Sequence, residues 1–74
     1  MLTPIEKTLV HVLTVLGVSE SSIIGIMLTL KDNEEWQNKF AMFLRNSDPK
    51  LLTENAIVRT VRKLRTGEEL EPLL

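Results

Sequence analysis

Thr3-Pro4-Ile5-Glu6-Lys7-Thr8-Leu9-Val10-His11-Val12-Leu13-Thr14-Val15-Leu16-Gly17 carries a start signal, a periodic body and a stop signal for one helix. Thr3 and Glu6 have the spacing of a capping box. In that motif the threonine oxygen takes the free amide of the third helical residue, and the glutamate carboxylate returns to the threonine amide. Pro4 falls on the first helical position, where a missing N–H leaves no bond unmade. Ile5, Leu9, Val12, Leu13 and Leu16 then share one face, within roughly 100° of arc. Gly17 is placed to end the helix in the left-handed conformation. The stretch predicts a helix over about residues 4–16.

The same punctuation recurs down the chain. A second helix is expected over about 20–31, beginning near Ser19. Its Ile23, Ile24, Ile26, Met27, Leu28 and Leu30 spread over roughly 200° of circumference, too wide for an ordinary surface helix. Gly25 and Thr29 occupy the narrow remaining face, where a neighbouring helix has room to approach closely. A third helix, 33–46, opens at Asp32-Asn33-Glu34-Glu35, whose acidic groups suit the positive end of the helix dipole. Trp36, Phe40, Phe43 and Leu44 share one of its faces. Asn46-Ser47-Asp48-Pro49 stops it, because the residue before a proline avoids the helical region. The fourth helix, 54–66, starts after Thr53. Leu52 and Ile57 sit at the two positions of a hydrophobic staple. Ile57, Val58, Val61 and Leu64 make its apolar stripe, and Gly67 closes it.

No segment alternates at period two, so no strand is expected. The reading is all-α: a compact bundle of four short helices with no β-sheet, one domain over residues 1–67. Residues 68–74 are expected to be an acidic, frayed tail. Short connections favour antiparallel neighbours.

Composition narrows the function classes. A chain of 74 residues is one domain, and 43% apolar residues suffice for a core. Without cysteine there is neither a disulfide framework nor a thiolate zinc site. A net charge of −1 exerts no global pull on nucleic acid or anionic lipid. The apolar region from Leu9 to Leu30 is cut by Gly17, Ser19, Glu20, Ser21 and Ser22, so neither half spans a bilayer. Met1-Leu2-Thr3-Pro4 carries no positive leader and Glu6 follows early, so a cytoplasmic location is expected.

Catalytic constellations are missing. His11 is the one histidine and lies on the flank of the first helix, near Lys7 and Val15. Ser19, Ser21 and Ser22 have no Gly-x-Ser-x-Gly setting and suit a helix start. Glu34/Glu35 and Glu68/Glu69 are sequence neighbours, which diverge on a helix rather than converge on a substrate. The glycines at 17, 25 and 67 are isolated and form no phosphate loop. The expectation is a non-enzyme with no cofactor, no metal site, no small-molecule substrate and no membrane anchor.

Two surfaces stand out instead. Val10, Val15 and Leu28 flank the main apolar stripes and find no place inside a bundle of this size. Together with Ile24 they are the candidate protein interface. Self-association as a twofold homodimer covers such a patch most simply. The leading reading is a small adaptor or regulator that binds itself, and possible protein partners, by helix-in-groove contacts.

The second surface is basic. Residues 1–44 set Lys7, Lys31 and Lys39 against Glu6, Glu20, Asp32, Glu34 and Glu35, a net of −2. Residues 45–66 set Arg45, Lys50, Arg59, Arg62, Lys63 and Arg65 against Asp48 and Glu54, a net of +4. The tail adds Glu68, Glu69 and Glu71. In the fourth helix Asn55, Arg59, Arg62 and Thr66 lie opposite the apolar stripe, bordered by Lys63. Arginine and asparagine read base edges with paired donors, and lysine anchors phosphate. The run from Leu51 to Leu64 loosely resembles the recognition helix of helix-turn-helix regulators. That resemblance implies nucleic acid as the alternative partner, through Asn55, Arg59, Arg62 and Lys63. The segment from Arg45 to Leu52 departs from the pattern, being longer than the usual turn and containing a proline.

Overall fold

Local signals become helices where their hydrogen bonds close. The Glu6 amide donates to Thr3 Oγ1 at 3.3 Å, and the Thr3 amide donates to Glu6 Oε1 at 2.9 Å. This reciprocal pair starts α1, Pro4–Val15. Gly17 takes φ +84° and turns the chain toward the second helix. The computed structural model describes residues 1–74. After α1 come α2, Glu20–Leu30, α3, Glu34–Asn46, a 3-10 turn η1, Pro49–Leu51, and α4, Glu54–Arg65. The fold is an all-α bundle of four helices with no strand. No helix is long and apolar enough to cross a membrane.

α2 is the hub and packs against α1, α3 and α4. Its connection to α3 passes through Asp32 at φ +58°, a left-handed position that aspartate tolerates better than most residues. Asn33 then caps α3 by accepting from the Trp36 amide at 3.0 Å. One turn on, buried Gln37 reaches back and donates from Nε2 to the Leu30 carbonyl at 2.8 Å. The end of α2 and the start of α3 therefore share their terminal groups, which helix ends otherwise leave unpaired.

The core gathers the expected faces of all four helices. Leu9 and Leu13 of α1, Ile26 and Leu30 of α2, Phe40, Phe43 and Leu44 of α3, and Ile57, Val61 and Leu64 of α4 are buried, with Val18 and Leu52. Phe40 and Phe43 lie near-parallel with ring centroids 6.4 Å apart. Trp36 stands half-buried at the edge rather than at the centre. Leu52 and Ile57 are both buried, as a staple requires, and Thr53 Oγ1 accepts from the Ala56 amide at 3.2 Å to cap α4.

Three local expectations are corrected. The tail is not frayed. The Leu73 amide donates to Ser47 Oγ at 3.0 Å, the Asp48 amide donates to the Leu73 carbonyl at 2.6 Å, and Leu70 and Leu73 pack against the core. The physical reason is that the end of α3 offers free polar groups beside an uncovered apolar edge, and the tail supplies both kinds of partner. Gly25 makes no close helix contact, since a Cβ built there would meet nothing within 4 Å. α4 instead leaves an open groove lined by Gly25, Thr29, Val58, Arg62 and Arg65. Ser19 does not cap α2 with its own side chain, and the cap comes from another helix, as described below.

Phe40 is fully enclosed, so Phe40→Ala is expected to cost about 3–5 kcal/mol. That is about the whole stability of a core this small. Circular dichroism of the variant at 25 °C should show a largely unfolded chain. A parental melting curve would contradict the assigned core.

Candidate functional site

The apolar excess of α2 ends on one groove. Met1, Leu2, Glu6 and Val10 from the α1 side and Glu20, Ile23, Ile24, Met27, Leu28 and Lys31 from α2 line it, around a volume of about 530 Å³. The four expected interface residues do not all meet there. Val10, Ile24 and Leu28 do, with Ile24 54% and Leu28 67% exposed. Val15 is 71% exposed but lies outside the groove, on the last residue of α1.

Sequence reading missed four contributors. Ile23 and Met27 belong to the wide apolar arc of α2; both are half-buried, and their open sides floor the groove. Met1 and Leu2 precede the capping box and have no periodic pattern to betray them. The rim is charged at both ends of α2, by Glu20 and Lys31. Glu6 lines the groove too, but its carboxylate accepts the Thr3 amide while its own amide donates to the Thr3 hydroxyl. The Thr3 amide first, then the Thr3 side chain, hold the Glu6 carboxyl below its ordinary value.

A second groove of about 530 Å³ separates α1 from α3. Its floor is the core stripe itself, Leu9, Val12, Ala41 and Leu44, and Met42 is its one strongly exposed apolar residue. It is a seam of the bundle rather than an added surface.

The basic face of α4 is open. Asn55, Arg59, Arg62 and Lys63 are all exposed. The molecule's one ion pair is Lys39–Glu35 at 3.4 Å, so none of the three cations is neutralised within the chain. The acidic tail does not lie over them: Glu69, Leu70 and Pro72 line a groove against Lys39, Met42, Phe43 and Asn46 of α3. The connection between α3 and α4 runs through residues 47–53 and contains η1, unlike the tight turn of the motif that α4 resembles. His11 is exposed, and no three His, Asp or Glu side chains converge on a metal position.

Glu54 is the residue that no sequence signal announced. From the first turn of α4 its Oε1 accepts the Ser19 amide at 2.7 Å. Its Oε2 accepts the hydroxyls of Ser19 at 3.0 Å and Ser22 at 2.8 Å. A carboxylate from one helix thus caps the N-terminus of another, near the positive end of its dipole. The Ser19 amide first, then the Ser22 and Ser19 hydroxyls, hold the Glu54 carboxyl below its ordinary value.

The chain matches no protein-family model, and no curated protein or solved structure resembles it significantly. Functional assignment therefore rests on the surfaces themselves.

A carboxyl depressed on folding adds stability above its unfolded value, and that stability is lost as pH falls through the folded one. The protein should hold its melting temperature at neutral pH and lose it below the ordinary carboxylate range. Glu54→Gln should lower the melting temperature at pH 7 and flatten the acid-side decline. Identical pH profiles of parent and variant would show that the clamp contributes nothing.

Proposed function

We propose that this chain is a non-enzymatic interaction module, a small cytoplasmic adaptor or regulator, that self-associates through the α1/α2 groove. One observation carries the reading. Val10, Ile24 and Leu28, three of the four expected interface residues, line one groove with Met1, Leu2, Ile23 and Met27. Contiguous exposed apolar surface of this kind marks interaction sites, and a twofold contact covers the patch on both copies at once.

The test is the mass in solution. Ile24 and Leu28 are exposed, so Ile24→Asp with Leu28→Asp leaves the core intact. The parent is expected to sediment as a dimer and the double variant as a monomer with the same helical circular dichroism. A parent that stays monomeric across the micromolar range, or a variant that still dimerises, defeats the reading.

A second reading has its own support in the uncovered basic face of α4. Asn55, Arg59, Arg62 and Lys63 would contact nucleic acid, arginine and asparagine at base edges and lysine at phosphate. Anisotropy of a labelled mixed-sequence duplex should then fall steeply with added salt, and Arg59→Glu with Arg62→Glu should abolish the signal. No binding even at low salt would end this reading.

A further inference from the structure

The exposed face of α2 ends in two opposite charges. At about 100° per residue, Glu20, Ile24, Met27, Leu28 and Lys31 fall within roughly 100° of arc. All five line the groove. Glu20 and Lys31 stand about 16 Å apart along the helix axis, on either side of a point between Gly25 and Ile26. Both are exposed, and neither takes part in an ion pair within the chain.

This pattern is its own complement under only one arrangement. In a twofold contact, residue i meets residue j of the other copy, and j meets i. With the two α2 helices antiparallel about the point between Gly25 and Ile26, Glu20 faces Lys31 of the partner subunit. Ile23 then faces Leu28 of the partner subunit, and Ile24 faces Met27 of the partner subunit. With the helices parallel, Glu20 faces Glu20 of the partner subunit and the two lysines also meet, so both ends repel. Like charges placed opposite each other select against a wrong arrangement.

We propose that the occupant of the groove is a second copy of this chain, seated by antiparallel α2–α2 pairing with two Glu20–Lys31 cross-pairs. This inference rests on the self-association reading and specifies its geometry.

Charge exchange tests it in the full chain. Glu20→Lys and Lys31→Glu, singly, each turn two attractive cross-pairs into two repulsive ones. Each is expected to weaken dimerisation by about tenfold at low salt, less at high salt. The double variant E20K/K31E restores both pairs with the signs exchanged and should return dimer affinity close to the parental value. The helix dipole disfavours that double variant, so its recovery has no origin in a more stable monomer. Circular dichroism checks that each variant stays folded. Equal affinity for the parent and all three variants, or a double variant no better than the singles, overturns the antiparallel pairing. Those outcomes leave self-association standing if Ile24→Asp with Leu28→Asp still yields monomer, whereas a monomeric parent removes both.

Discussion

α2 presents apolar side chains over roughly 200° of its circumference, and the chain has only three other helices with which to cover them. Packing against α1, α3 and α4 encloses Ile26 and Leu30. Ile23 and Met27 are covered on one side, and Ile24 and Leu28 stay open. The excess is geometric. A bundle needs neighbours around the whole perimeter of a helix to bury all of it, and a fourth neighbour is what α2 lacks. The open groove is the consequence, and α2 with its cap residue Lys31 supplies both charged ends and most of the apolar lining.

Polar groups join the helices at their ends, where backbone groups lack intrahelical partners. Gln37 closes the end of α2 from α3, Glu54 closes its start from α4, and the tail closes the end of α3 through Ser47 and Asp48. Each contact links segments that the core alone would let slide. Hydrogen bonds need both distance and direction, so they set the register of helices that non-directional apolar contact holds loosely. Gln37 and Ser47 are buried and hydrogen-bonded, and the structure leaves no fully buried side-chain polar atom without a partner.

Charge is segregated for a reason the fold makes visible. The apolar stripe of α4 faces inward, which places Arg59, Arg62 and Lys63 outward without acidic neighbours in contact. The acidic tail is drawn to α3 by its leucines and its backbone bonds, not to α4 by charge. Apolar burial and hydrogen bonding outweigh the weak attraction between exposed charges in water. The basic face is left free as a result.

The sequence alone determined the helices and most of the core, because those depend on neighbours within one or two turns. The capping box at Thr3, the glycine at 17, the aspartate-proline stop and the staple at Leu52 each act over a few residues. The apolar stripes repeat at the helical period for the same reason. Val10, Val15 and Leu28 were legible as surplus, because they flank the main apolar stripes. What surrounds them was not. Whether Met1 and Leu2 reach the same groove, and whether Val15 misses it, depends on how α1 lies along α2. The Glu54 clamp joins residues 35 positions apart, and the docked tail joins residues 26 apart. Such partners meet only after four helices have found their places, so the tertiary structure decided them: distances between remote residues are set by packing, which local spacing does not encode.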